Sequence, residues 1–137
     1  HACPADARRL KAAFEACDGL LIASPEHNGS IPALLKNAID WASRPSEGES
    51  LVALTAFRGK AAGIMSASIG PFGGMRALAH LRQILGTVQM IVVPEQLAVP
   101  LAGSAFTPGR ALAEPLPNTI LDGLVTRLVD VAGRLRR

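Results

Sequence analysis

Aromatic residues are scarce in this chain of 137 residues, which has no tyrosine, one tryptophan and four phenylalanines. Sequence-tolerant binders of single-stranded nucleic acid stack bases on aromatic side chains, so the net charge of +3 and pI near 9.4 do not by themselves point to nucleic acid. The basic residues are dispersed as well. Arg8, Arg9 and Lys11 form the densest internal group, and Arg134, Arg136 and Arg137 close the chain. Both sets read as solvated helix faces and favourable charge at a helix C-terminus. Cysteine is nearly absent: Cys3 and Cys17 lack CxxC or metal-ligand spacing, which excludes a disulfide framework and assigns no metal site. No apolar run reaches the roughly 18 residues of a membrane span, and no charged segment followed by an apolar stretch opens the chain. The expectation is a cytoplasmic protein with neither membrane nor nucleic acid as partner. Charged residues make up 18% against 49% hydrophobic, a balance that excludes disorder, and the length is that of one domain over residues 1–137.

The hydrophobic pattern alternates helical and strand periods. Asp6 to Ala16 reads as a helix with Leu10, Ala13, Phe14 and Cys17 on one face. Asp18-Gly19 breaks it, and Leu20-Leu21-Ile22-Ala23 is a short continuous apolar run, as in a strand covered on both faces of a parallel sheet. Pro25 stops that strand. Asn28-Gly29 tolerates positive φ, Ser30 is a candidate N-cap, and Pro32 suits a first helical turn. A helix over 31–43 presents Leu34, Leu35, Ala38, Ile39 and Ala42 to the sheet, ending at Arg44-Pro45. Residues 45–58 read as a polar connection in which Leu51, Val52 and Leu54 dock locally. A second strand, 60–66, opens into Ser66-Ala67-Ser68-Ile69-Gly70-Pro71-Phe72-Gly73-Gly74, and a helix from Met75 to Leu85 follows. Glycine-rich turns at a helix N-terminus leave backbone N–H groups free to face polar or anionic atoms. Met90 to Pro94 reads as the third strand, 95–117 as an irregular proline-rich excursion, and 118–136 as the last helix, with Ile120, Leu124, Leu128, Val131 and Leu135 on one stripe. Both loops leave the carboxyl ends of strands, which is where ligands bind in open α/β sheets.

Pro25-Glu26-His27-Asn28-Gly29-Ser30-Ile31-Pro32, followed by Leu35-Lys36-Asn37-Ala38-Ile39-Asp40-Trp41 and Ser43-Arg44-Pro45, resembles the signature of the NADPH-dependent FMN reductases, flavoenzymes that include quinone, chromate and azo-dye reductases. Gly73, Gly74 and Arg76 reproduce a second family feature, a serine-rich turn ending in Gly-Gly with an arginine after it. The family usually has tyrosine where this chain has His27. The resemblance implies an α/β, flavodoxin-like, doubly wound parallel sheet with strands 3–5 recognisable. It also implies that the opening strand, helix and strand, with the FMN phosphate loop, are missing from this partial domain.

The implied activity is hydride transfer from NAD(P)H through bound FMN to a small-molecule electron acceptor such as a quinone, FMN, an azo dye or chromate. Flavin chemistry asks the protein for position and electronic tuning, so no catalytic acid, base or nucleophile is assigned. Pro25, Glu26, His27 and Asn28 would lie along the isoalloxazine, and Ala67, Ser68 and Gly70 would meet its pyrimidine side. His27 also reads as an exposed turn histidine, and Trp41 as core or subunit contact. Glu26 and Asp40 are single carboxylates without a paired acid, His1 and His80 lack a placed acid, and His80 and Arg82 read as solvent or dimer-face residues. Members of the family form homodimers or homotetramers, for which Trp41 and the helix over 77–85 are the expected contact. Two other readings stand beside this one: a flavodoxin-like electron carrier without a nicotinamide step, and an inactive fragment without cofactor. Bleaching of yellow protein by NADPH separates the enzyme from the carrier.

Overall fold

Three short apolar runs pair into a parallel sheet of order β1-β2-β3 in a computed structural model that describes residues 3–136. The strands are β1 (Gly19–Ala23), β2 (Ala61–Ala67) and β3 (Ile91–Val99), and the helices α1 (Ala5–Glu15), α2 (Ala33–Ala42), α3 (Met75–Thr87) and α4 (Pro115–Leu135) alternate with them. Alternation along the strands sorts side chains to two faces. Ala62 and Ile64 join Ile39, Ala42, Leu78, Leu81 and Leu85 on the α2–α3 side, whereas Met65, Val93, Leu97 and Val99 pack with Leu124 on the α4 side. β2 is buried on both faces, as a continuous apolar run implies, whereas β1, expected to be covered the same way, leaves Leu21 and Ala23 exposed because it is an edge strand among the described residues.

β3 runs farther than its sequence implies. A strand ending at Pro94 followed by an irregular excursion is the expectation from proline's missing N–H; instead pairing continues to Val99. Ala62 pairs with Val92 and Ile64 with Gln96, so Val93, Pro94 and Glu95 bulge opposite Gly63. Proline is tolerated at a bulge, where the ladder is already broken. The Arg82 guanidinium donates to the carbonyls of Val92 and Val93 at 3.4 and 2.9 Å and to Gln96 Oε1 at 2.9 Å. It is thus an internal tie, where a solvent or dimer-face residue was expected.

Other boundaries move for identifiable reasons. α4 starts at Pro115 and includes Pro117, because the N–H groups of a first helical turn have no intrahelical acceptor and proline costs nothing there. Of its expected stripe, Leu124 and Leu128 are buried, while Ile120 and Leu135 are exposed. In α1 the buried residue is Lys11, whose Nζ reaches Arg44 O at 3.0 Å, Ser46 Oγ at 2.8 Å and Glu49 Oε2 at 2.5 Å. Lys11 thereby ties α1 to the 45–58 connection. Leu51 and Val52 of that connection are solvent-exposed, and Ala56 and Phe57 dock in their place. Phe57 tilts against Phe14 with ring centroids 5.6 Å apart.

Candidate active site

The first loop leaves β1 at Ser24, whose N–H still donates to Met65 O of β2 at 2.9 Å. Pro25 then ends the ladder, and His27 and Ser30 close a tight turn through two backbone hydrogen bonds of 2.9 and 3.0 Å. Asn28 and Gly29 occupy its two central positions with φ of 50° and 80°, the left-handed pair that a type I′ turn requires. The sequence expectation for Asn28-Gly29 therefore matches the backbone. Ser30 does not cap α2. Pro32 occupies that position without a side-chain hydrogen bond, and the Ser30 hydroxyl lies 2.8 Å from His80 Nδ1 on α3.

The second loop leaves β2 at Ala67 and is stapled to the exit of β3. Ser68 N–H donates to Val99 O at 3.0 Å, Ala102 N–H to Ser68 O at 2.9 Å and Leu101 N–H to Gly70 O at 3.2 Å. Within the loop, Gly70 N–H donates to Ser68 Oγ at 3.2 Å. Gly74, the residue before α3, has φ of 85°. A Cβ on it would fall within 2.8 Å of Ser66 Cβ, so only glycine lets the loop lie this close over β2.

Glu26 joins the two loops. Its side chain is 7% exposed and accepts from Arg76 Nε at 2.9 Å, from Arg76 Nη2, and from the Ala77 N–H at 3.3 Å. The hydrogen bond from Arg76 holds the Glu26 carboxyl below its ordinary value. A carboxylate at a helix N-terminus also meets the positive end of the helix dipole. In the sequence Glu26 stands as an isolated carboxylate; in the fold it is bound to a residue 50 positions away. Its side chain is thus committed to α3.

All seven sequence-derived positions gather at the carboxyl edge of β1 and β2. Pro25 and Ala67 line one cavity of about 520 Å³ on the α4 side of that edge. His27 and Asn28 are exposed at the turn tip, while Ser68 and Gly70 are half-buried. No hydrogen bond joins His27 or Asn28 to the Ala67–Gly70 segment. The N–H groups of Asn28 and Gly29 donate to no acceptor among the described residues, and the Ser66 hydroxyl, buried beneath the second loop, has no partner. The cavity lining stops at Pro25, and free donors on the fixed turn that follows it suit the polar edge of a flat heterocycle such as the flavin of FMN. The same cavity is lined by Phe106, Arg110, Leu112 and Leu121, which sequence reasoning missed. For Phe106, Arg110 and Leu112 the signal was the length of the proline-rich excursion; Leu121, on the last helix, carried none. His1 lies outside the described residues.

A parallel sheet wound on both faces, with its glycine-bearing loops at one carboxyl edge, defines a flavodoxin-like α/β protein. The chain belongs to the NADPH-dependent FMN reductase family, whose profile matches residues 1–104. It is 49% identical over 82 residues to an NAD(P)H-dependent FMN reductase of Pseudomonas aeruginosa, covering 60% of this chain and 40% of that one. It is 40% identical over 90 residues to a 2-hydroxy-1,4-benzoquinone reductase of a Burkholderia species, covering 66% and 46%. Among solved structures, the flavoenzyme NAD(P)H:(acceptor) oxidoreductase FerB of Paracoccus denitrificans superposes with a TM-score of 0.81 at 30% identity, covering 96% of this chain and 69% of FerB. The chain thus spans less than half the length of these two curated relatives.

Proposed function

We propose that this chain forms the flavin-ring part of an FMN-dependent NAD(P)H oxidoreductase that reduces quinones or similar acceptors. The observation that carries this reading is the convergence of the Asn28-Gly29 turn and the Ala67–Gly70 loop at one carboxyl edge. FMN, when bound, supplies a centre that accepts a hydride from NAD(P)H and delivers two electrons to an acceptor. Pro25, the Glu26 backbone, His27 and Asn28 form one wall for the ring, with the free turn N–H groups stabilising negative charge at its edge. Ala67, Ser68 and Gly70 form the other. His27 takes the place of the family's tyrosine, offering a smaller ring for stacking.

The second-substrate side of the reading rests on exposed apolar residues. Ile69 is 86% and Phe72 63% exposed, with Leu101 and Met75 also outward. Such a rim supports flat, weakly polar acceptors such as quinones and azo dyes over the chromate anion. We further read the protein as cytoplasmic, where NAD(P)H is available and Cys3 and Cys17, both free thiols, stay reduced. No helix among the described residues is long and apolar enough to cross a membrane. In a homodimer or homotetramer, α3 would offer Met75, Ala79, His80 and Gln83, since Ala77, Leu78, Leu81 and Leu85 turn into the chain's own core. The test is spectroscopic. Purified full-length protein should be yellow, bleach anaerobically with NADPH and recolour on addition of benzoquinone. Yellow protein that NADPH fails to bleach would favour the electron carrier, and protein that takes up no FMN would sink both.

A further inference from the structure

Arg76 and His80 stand four residues apart on α3, so they share one face of that helix. Each holds one flank of the His27–Ser30 turn. Arg76 binds the Glu26 carboxylate just before it, and His80 Nδ1 lies 2.8 Å from Ser30 Oγ at its end. The turn is closed on itself by the paired hydrogen bonds between His27 and Ser30, so it moves as a unit. From Pro25 to Ser30, apart from the bond that Pro25 O accepts from the adjoining Ser24 hydroxyl at 3.0 Å, the hydrogen bonds that tie the segment to the rest of the described fold run to Arg76, Ala77 and His80. Gly29 also lies against Arg76, whose guanidinium carbon would be 3.9 Å from a Cβ at that position.

We propose that Arg76 and His80 form a two-point clamp that fixes the Asn28-Gly29 turn relative to the second loop. They are positioning residues for the flavin ring, acting through Glu26 and Ser30 without touching the ring themselves. The flavin half of this inference rests on the function proposed above; the clamp itself does not. A rigid turn matters because donors that are already aimed cost no reorganisation when charge develops, and a loosely held wall must be ordered at the expense of affinity.

The experiment has two arms on the full-length protein. In the flavin-free protein, amide hydrogen exchange is followed for wild type, Arg76→Ala, Arg76→Lys and His80→Ala. The two alanine variants should speed exchange at the His27 and Ser30 amides about tenfold or more while amides of β2 and the middle of α3 keep their protection. Arg76→Lys should recover part of it, since an ammonium replaces the charge but not the two-pronged contact. Unchanged exchange at His27 and Ser30, or equal acceleration throughout the core, would overturn the clamp. In the second arm, FMN affinity and the reduction potential of bound FMN are measured. Arg76→Ala should weaken binding at least tenfold and move the potential, with Arg76→Lys between it and wild type. A potential indistinguishable from wild type would refute the positioning role. Wild type that binds no FMN would refute the proposed function instead, and the exchange arm would still decide the clamp.

Discussion

Gly74 and Ser66 are matched across the base of the second loop: a Cβ on Gly74 would fall 1.9 Å from the Ser66 hydroxyl. Gly74 also sits at φ of 85°, so Gly74→Ala combines backbone strain with a collision. A cost on the order of 3 kcal/mol or more is expected, read as a lower urea midpoint. The double variant Ser66→Gly with Gly74→Ala should recover the collision and leave the strain. Ser66→Ala alone removes a buried hydroxyl that has no partner among the described residues, so it should be neutral or stabilising by up to about 1 kcal/mol. A clear loss of stability in Ser66→Ala would show that the hydroxyl is engaged after all.

At the turn, Asn28→Pro should abolish FMN retention. Proline holds φ near about −65°, and Asn28 has φ of 50°, so the paired hydrogen bonds of the turn cannot form. Asn28→Gly keeps that conformation available and should retain FMN within a few fold. Arg134→Ala removes an exposed ion pair to Asp130 at 3.0 Å and serves as the neutral control, since such pairs contribute about 0.3–0.5 kcal/mol. Equilibrium titration with FMN distinguishes the three variants; retention by Asn28→Pro would remove the turn from the site.

Glu49 makes the chain sensitive to acid. Hydrogen bonds from Lys11 and the Ser46 N–H hold its carboxyl at about 2, below its ordinary 4.5. A folded-state value below the unfolded one means that the ionised form stabilises the fold at neutral pH, and that this contribution fades as pH falls from about 4.5 toward about 2. Wild type should therefore exceed Glu49→Gln in stability by a constant margin above that window, and the margin should close within it. Urea unfolding at a series of pH values measures this, and a margin independent of pH would mean the carboxylate is not what Lys11 needs.

The sequence made β1, β2, the helices over 33–42 and 75–87, and the two loops legible because each rests on local rules. Apolar runs, turn residues and glycine positions act over a few neighbours. What escaped depends on partners far away in the chain. The passage of β3 through Pro94 requires Arg82 to accept the task of binding the bulge carbonyls, and nothing near Pro94 announces that. Phe57 is buried because Phe14 meets it, yet residues 45–58 have no periodicity to reveal the choice of Phe57 over Leu51. Lys11 lies on a helix face that its charge assigns to solvent, and only Glu49 and Ser46 make its burial possible. At the site, Arg76 was legible as part of a glycine-arginine pattern, whereas its hold on Glu26 belongs to the fold.

β1 pairs only with β2 among the described residues, leaving its other edge open. Leu21 is 42% exposed beside that edge, and Val125 and Val129 of α4 are exposed as well. An apolar strand with unpaired backbone groups is a template for further strand pairing, so residues 1–137 expressed alone should self-associate as concentration rises. They should also bind FMN far more weakly than the protein at the length of its relatives. Leu21→Lys should suppress association, because the lysine stem still covers the apolar surface near Gly63 while its ammonium reaches water at the edge. Light scattering across a concentration series, with FMN titration of both lengths, tests this. A chain of 137 residues that stays monomeric and binds FMN as tightly as the longer protein would show that the open edge is neither an association surface nor the boundary of an incomplete site.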